Sequence, residues 1–78
     1  MTMEEAGGVI LGIFQKECKK PGDSLTNKTV HQEYFRKTDS SLGFFEGMKW
    51  LVSHKWLAEK ENQENCYEIT KSGWKADL

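Results

Sequence analysis

The chain has 78 residues, 37% of them apolar and nine aromatic, with 11 basic side chains against 12 acidic and a net charge of −1 at pH 7. That composition supports one small hydrophobic core and excludes a disordered chain, a polybasic nucleic-acid coat and a long acidic tail. No apolar run reaches the roughly 20 residues of a membrane span, and no basic stretch leads into a secretory signal, so a single cytoplasmic domain over residues 1–78 is expected.

Thr2 and Glu5 have the spacing of a capping box, and Ala6, Val9, Ile10, Ile13 and Phe14 follow at helical period. Glu4 and Glu5 suit the positive end of that helix dipole, and Lys16, Lys19 and Lys20 suit its negative end. Pro21-Gly22 is the expected stop. Gly7, Gly8 and Gly12 each cost about 1 kcal/mol against Ala inside a helix, which points to a neighbouring element packed closely on them. They do not form a nucleotide-binding loop, because no strand precedes them and no Gly-Lys-Ser/Thr follows.

Ser24-Leu25-Thr26 is a short β-compatible segment. Thr29 and Gln32 can form a second capping box, with Thr26 and Asn27 as the other candidate caps; Val30, Tyr34 and Phe35 then mark a helical face. Asp39 or Ser40 is the expected N-cap of a third helix running to His54 or Lys55. On an ideal wheel of about 100° per residue, its apolar side carries Phe44, Phe45, Met48, Leu51 and Val52. The opposite side carries Gly43, Glu46, Gly47, Trp50, Ser53 and His54.

After Trp56 the period changes to two. Leu57 and Glu59 alternate with Ala58 and Lys60, residues 61–65 are polar, and Tyr67 and Ile69 alternate with Glu68 and Thr70, as in a β-hairpin. Lys71-Ser72-Gly73 ends it, and Trp74 begins a short tail. The expected core is Val9, Ile10, Ile13, Phe14, Val30, Tyr34, Phe45, Met48, Leu51, Val52, Leu57 and Ile69. Cys18 and Cys66 read as free thiols, too few for a stapled secreted domain. With His31 and His54 they lack the close spacing of zinc ligands, so neither metal nor cofactor is expected. Ser53-His54 lacks an orienting third group, so the chain is not expected to be an enzyme.

Helix, short strand, helix, helix and hairpin is the order of the winged helix-turn-helix superfamily. Met-Lys-Trp-Leu-Val-Ser-His-Lys-Trp-Leu at 48–57 resembles the end of a recognition helix and its turn into the wing, and Tyr-Glu-Ile-Thr-Lys-Ser-Gly at 67–73 is similar to the Tyr-x-Leu-Thr-x-x-Gly that closes many wings. In that pattern Trp56, Leu57, Tyr67 and Ile69 pin the wing strands, Thr70 caps the segment after the second strand, and Gly73 takes a conformation other residues resist. Lys55 stands where the family often has a helix-ending glycine. The resemblance implies an α+β fold, a three-helix core with a C-terminal β-hairpin wing.

It also implies double-stranded DNA as partner, a regulatory role and a dimer, with the third helix in the major groove. Residues 19–37 hold five basic side chains against two acidic, residues 38–57 two against two, and residues 58–78 three against five. Lys28, Arg36, Lys37 and Lys49 are therefore the expected phosphate contacts, with Ser40, Ser41, Gly43 and Gly47 near the groove. The alternative is a protein-interaction adaptor, or self-association, through Gly43, Gly47, Trp50 and His54, because Trp is a strong interface anchor and glycines admit a second backbone.

Overall fold

The computed structural model describes residues 2–60 and 65–76. The elements are α1 (Met3–Glu17), β1 (Ser24–Thr26), α2 (Asn27–Thr38), α3 (Phe44–Ser53), β2 (Leu57–Glu59), β3 (Cys66–Ile69) and α4 (Lys71–Lys75). The fold is α+β: four helices and one three-stranded antiparallel sheet, in a body of 28 × 25 × 21 Å. The polar stretch at 61–64 lies outside the described residues.

Local chemistry starts each helix. Thr2 and Glu5 make the capping box of α1: the Glu5 amide donates to the Thr2 hydroxyl at 3.2 Å, and the Thr2 amide donates to the Glu5 carboxylate at 3.3 Å. The helix ends at Glu17, before Pro21, where Cys18 turns extended and the Asp23 carboxylate accepts from the Lys19 amide at 2.9 Å. Thr26 caps α2 and takes the Thr29 amide at 3.2 Å, so Thr29 sits inside the first turn rather than at the cap.

Strand β3 lies between the other two, pairing Leu25 with Tyr67 on one side and Leu57 with Ile69 on the other. Leu57 and Ile69 are buried against α1, α2 and α3, together with Ile10, Ile13, Phe14, Val30, Tyr34, Met48 and Leu51. Leu11 and Phe44 join this core, while Val9 and Val52 pack at its edge. Phe45 does not belong to it: its side chain is exposed, and Phe44 takes the inward place.

The cause is the start of α3. The helix begins at Phe44, not near Ser40. Gly43 is its N-cap in the left-handed region, at φ 81°, and Asp39 is the C-cap of α2. Gly47, placed by the wheel on the polar side, is buried: a Cβ there would stand 3.0 Å from the Ala6 Cβ and 2.9 Å from the Ile10 Cδ1. The buried arc of α3 is thus Phe44, Gly47, Met48 and Leu51.

Helix α3 ends in a Schellman motif. Lys55 takes a left-handed φ of 62°, its amide donates to the Val52 carbonyl, and the Trp56 amide donates to the Leu51 carbonyl, both at 3.0 Å. The chain after β3 forms α4 rather than an irregular tail. Thr70 caps it, accepting from the Gly73 amide at 3.0 Å. The Thr70 hydroxyl proton is shared between the carbonyls of Lys55 at 2.7 Å and Trp56 at 3.1 Å. Gln15 of α1 holds α4 by donating to the Gly73 and Ala76 carbonyls at 3.0 and 2.8 Å.

Gly73 has no positive φ. Its role is close approach, since a Cβ there would overlap the Trp56 carbonyl oxygen. Gly73→Ala should therefore destabilise the protein by about 1–3 kcal/mol, as overpacking does, although Ala is favoured by about 1 kcal/mol in an unobstructed helix. The midpoint of urea unfolding measures this, and an unchanged or raised midpoint refutes it.

Candidate functional site

The turn at residues 39–43 fixes α3 relative to α2. The Tyr34 hydroxyl donates to the Leu42 carbonyl at 2.6 Å. The Thr38 hydroxyl reaches the carbonyls of Tyr34 at 2.8 Å and Ser40 at 2.7 Å, and the Ser40 hydroxyl accepts from the Leu42 amide at 3.0 Å. Side chains beyond this turn are therefore presented in a set direction. Leu42, Phe45, Glu46, Lys49 and Ser53 are exposed.

Two open grooves flank this outward face. One lies along the end of α2 and is lined by His31, Phe35, Arg36 and Ser41. The other lies between α3 and the hairpin, with Phe45, Met48, Val52 and Tyr67 as its apolar lining and Lys49 and Glu59 beside them. Arg36 lines the first groove together with Glu33, and Lys49 lines the second together with Glu59. The Arg36 guanidinium pairs with Glu33 at 3.2 Å and remains largely exposed.

The structure does not bring all the expected site residues together. Arg36, Ser41 and Lys49 line the grooves, and Lys37 is exposed in the last turn of α2 beside Arg36. Lys28 is exposed in the first turn of α2. Nine residues separate it from Lys37, so it stands about 14 Å away along the axis and half a turn around it. Gly43 and Gly47 face α1. The backbone that Gly47 admits is that of Ala6, so Gly47 is available to neither a groove nor a partner, whereas Gly43 meets the Ala6 Cβ and the Tyr34 hydroxyl. Ser40 is half-buried in the turn.

Trp50 and His54 occupy another side of α3. The Trp50 ring lies on Gly7 of α1, where a Cβ would overlap it. Its centroid is 5.2 Å from that of Trp56 and 4.7 Å from that of His54, both edge-on. His54 stacks on Trp56 at 5.0 Å. Trp50 therefore packs against α1 and Trp56, and the glycine that makes room for it is in α1.

Phe45, which the wheel ranks with the core, is 68% exposed, and Leu42 and Phe35, outside the expected core, are 79% and 51% exposed. The available signal is the small pair Ala6-Gly7 in α1, which matches Gly43 and Gly47 and rotates the buried arc toward Gly47. Burial raises the Tyr34 hydroxyl above its ordinary 10.0, with the Glu46 carboxylate adding to it. Burial also raises Tyr67, aided by Glu59, and Cys18, aided by Asp23 and Glu17. Among the described residues no three His, Cys, Asp or Glu side chains gather to hold a metal ion, and no helix is long and apolar enough to cross a membrane. No protein-family model, curated protein or solved structure matches the chain.

Its packing on Gly7 and Trp56 favours a structural role for the half-buried Trp50. Trp50→Ala should lower stability by about 2–4 kcal/mol, near the range of large core truncations. A loss under about 0.5 kcal/mol, the range of surface changes, together with weaker self-association in sedimentation, would instead make Trp50 a contact residue. Tyr34 titrates higher folded than unfolded, so its contribution is complete below the ordinary value of 10.0 and is lost as pH rises through the folded pKa. Stability should fall above pH 10.0 with a shallower slope in Tyr34→Phe. That variant should also lose about 1 kcal/mol at neutral pH with the Leu42 hydrogen bond. Parallel alkaline limbs would contradict this.

Proposed function

We propose that the chain is a winged-helix DNA-binding protein with a regulatory role. In this reading α3 is the recognition helix and the β2–β3 hairpin is the wing. The observation that carries it is the outward face of α3. Lys49 and Ser53 stand exposed on that face beyond a rigidly bonded turn, with Arg36 and Lys37 at the adjacent end of α2. A helix presented in this way fits a major groove, and cations at its borders suit the phosphates on either side.

The cation count is low, so binding should be moderate. Each phosphate contact contributes about −0.9 to the slope of log affinity against log salt. Anisotropy of a labelled random-sequence duplex across a salt series tests the reading. Reversing Arg36 and Lys49 to Glu should weaken binding to all sequences alike and flatten the slope by about two. Lys28→Glu, at the far end of α2, should have the smaller effect. Absence of binding at low salt overturns the reading.

A second reading is a protein-docking adaptor. It is favoured by the exposure of Phe35, Leu42 and Phe45, since exposed apolar surface marks interaction sites.

A further inference from the structure

Phe45 is 68% exposed, yet it is not loose. Its ring rests edge-on against the buried Phe44, with centroids 5.8 Å apart and planes at 71°. Phe45 also lines the groove between α3 and the hairpin, whose apolar surface continues through Met48, Val52 and Tyr67. The molecule therefore presents a braced aromatic knob directly beside an open apolar groove.

The charges around the knob decide what can cover it. Lys49 stands one turn after Phe45, Glu46 is exposed next to Phe45, and Glu59 lines the groove with Lys49. Among the described residues Lys49 forms no ion pair with either carboxylate. Glu33 and Arg36 repeat this mixture in the groove along α2. A polyanion would meet the carboxylates, and a polycation would meet Lys49 and Arg36. A face of both signs is answered by a face mixed in the same way. In a twofold contact a patch meets its own copy, so residue i faces j and j faces i. Lys49 of each copy then faces the acidic side chains of the other, and knob and groove satisfy each other twice. A net charge of −1 adds little repulsion between two copies.

We propose that this face is a homodimer interface. Phe45 of each copy seats between α3 and the hairpin of the other, and Lys49 of each copy faces Glu46 and Glu59 of the other. The proposal rests on the protein-docking reading and names the partner as a second copy of this chain. The pairing covers Lys49, so it excludes the duplex contact of the DNA-binding reading while it lasts.

Sedimentation velocity on the full chain, from about 1 μM to about 1 mM, reads the dimer, and circular dichroism confirms that each variant is folded. The wild type should dimerise within this range. Phe45→Ala should raise the dissociation constant by about a hundredfold, about tenfold for each of the two rings lost. Lys49→Glu makes the patch wholly acidic, and the double variant Glu46→Lys, Glu59→Lys makes it wholly basic. Each of these alone should be monomeric where the wild type is dimeric. Mixed in equal amounts they should pair, because every facing charge is then of opposite sign, and adding Phe45→Ala to both should abolish that pairing. A mixture no more associated than its components overturns the proposed contact. A wild-type dimer unaffected by Phe45→Ala overturns both the proposal and the docking reading at this face. A wild type that stays monomeric throughout the range overturns the second copy as partner and leaves the docking reading to a different protein.

Discussion

The packing of α3 on α1 sets the direction of every side chain on α3. The two helices meet where side chains are missing. Gly47 lies on Ala6 and Ile10, and Gly7 receives the Trp50 ring. Because an α-helix turns by about 100° per residue, seating Gly47 at the contact also decides the other positions. Phe44, Met48 and Leu51 must turn inward, while Phe45, Lys49 and Ser53 must turn out. A bulkier residue at 47 would force the helices apart or rotate α3, and the outward face would change with it. The direction of the outward face is thus determined by a contact on the opposite side of the helix.

Backbone carbonyls hold both ends of that helix. At the start the Tyr34 hydroxyl binds the Leu42 carbonyl, and at the end Thr70 binds the carbonyls of Lys55 and Trp56. These bonds cross between separate elements, so they tie α2, α3, the hairpin and α4 into one frame. Short helices of this kind draw little stability from their own propensity; α3 has ten residues and an uncapped start. Its order comes from these tertiary anchors and from the buried arc. Sites built on such braced elements hold their geometry better than sites on free loops.

Much of this is legible in the residues. Thr2 and Glu5, the strand around Leu25, the alternation after Trp56 and the strained position of Lys55 each carry a local signal that the tertiary structure does not override. The features that are not legible depend on partners distant in sequence. Wheel geometry ranks Phe45 with the core because it counts apolar residues, and a glycine contributes nothing to that count. Yet Gly47 lies in the contact, where a Cβ would crowd Ala6 and Ile10. The local pattern casts Gly73 as a conformational device, whereas its function is to clear the Trp56 carbonyl. The packing of Trp50 is hidden for a related reason: its own neighbours on α3 suggest open space, but its ring lies on Gly7, more than forty residues earlier in the chain.

The charge on the outward face constrains how such a surface could act on DNA. Glu46 is exposed on α3 and Glu59 borders the hairpin groove. At 0.1 M salt the screening length is about 10 Å, so these carboxylates act on phosphates only near the contact. The Arg36–Glu33 pair is exposed and adjacent on its helix. Such pairs hold by about 0–1 kcal/mol, which allows the guanidinium to exchange Glu33 for a phosphate at small cost. Counterion release supplies most non-specific affinity, and a face this poor in cations gains little of it. If such a face binds DNA, a larger share of its binding energy must then come from base edges. On the DNA-binding reading, the near-neutral charge of the chain lowers affinity for every sequence but raises the fraction that depends on sequence. This is the balance expected of a protein that selects a site rather than coating a duplex.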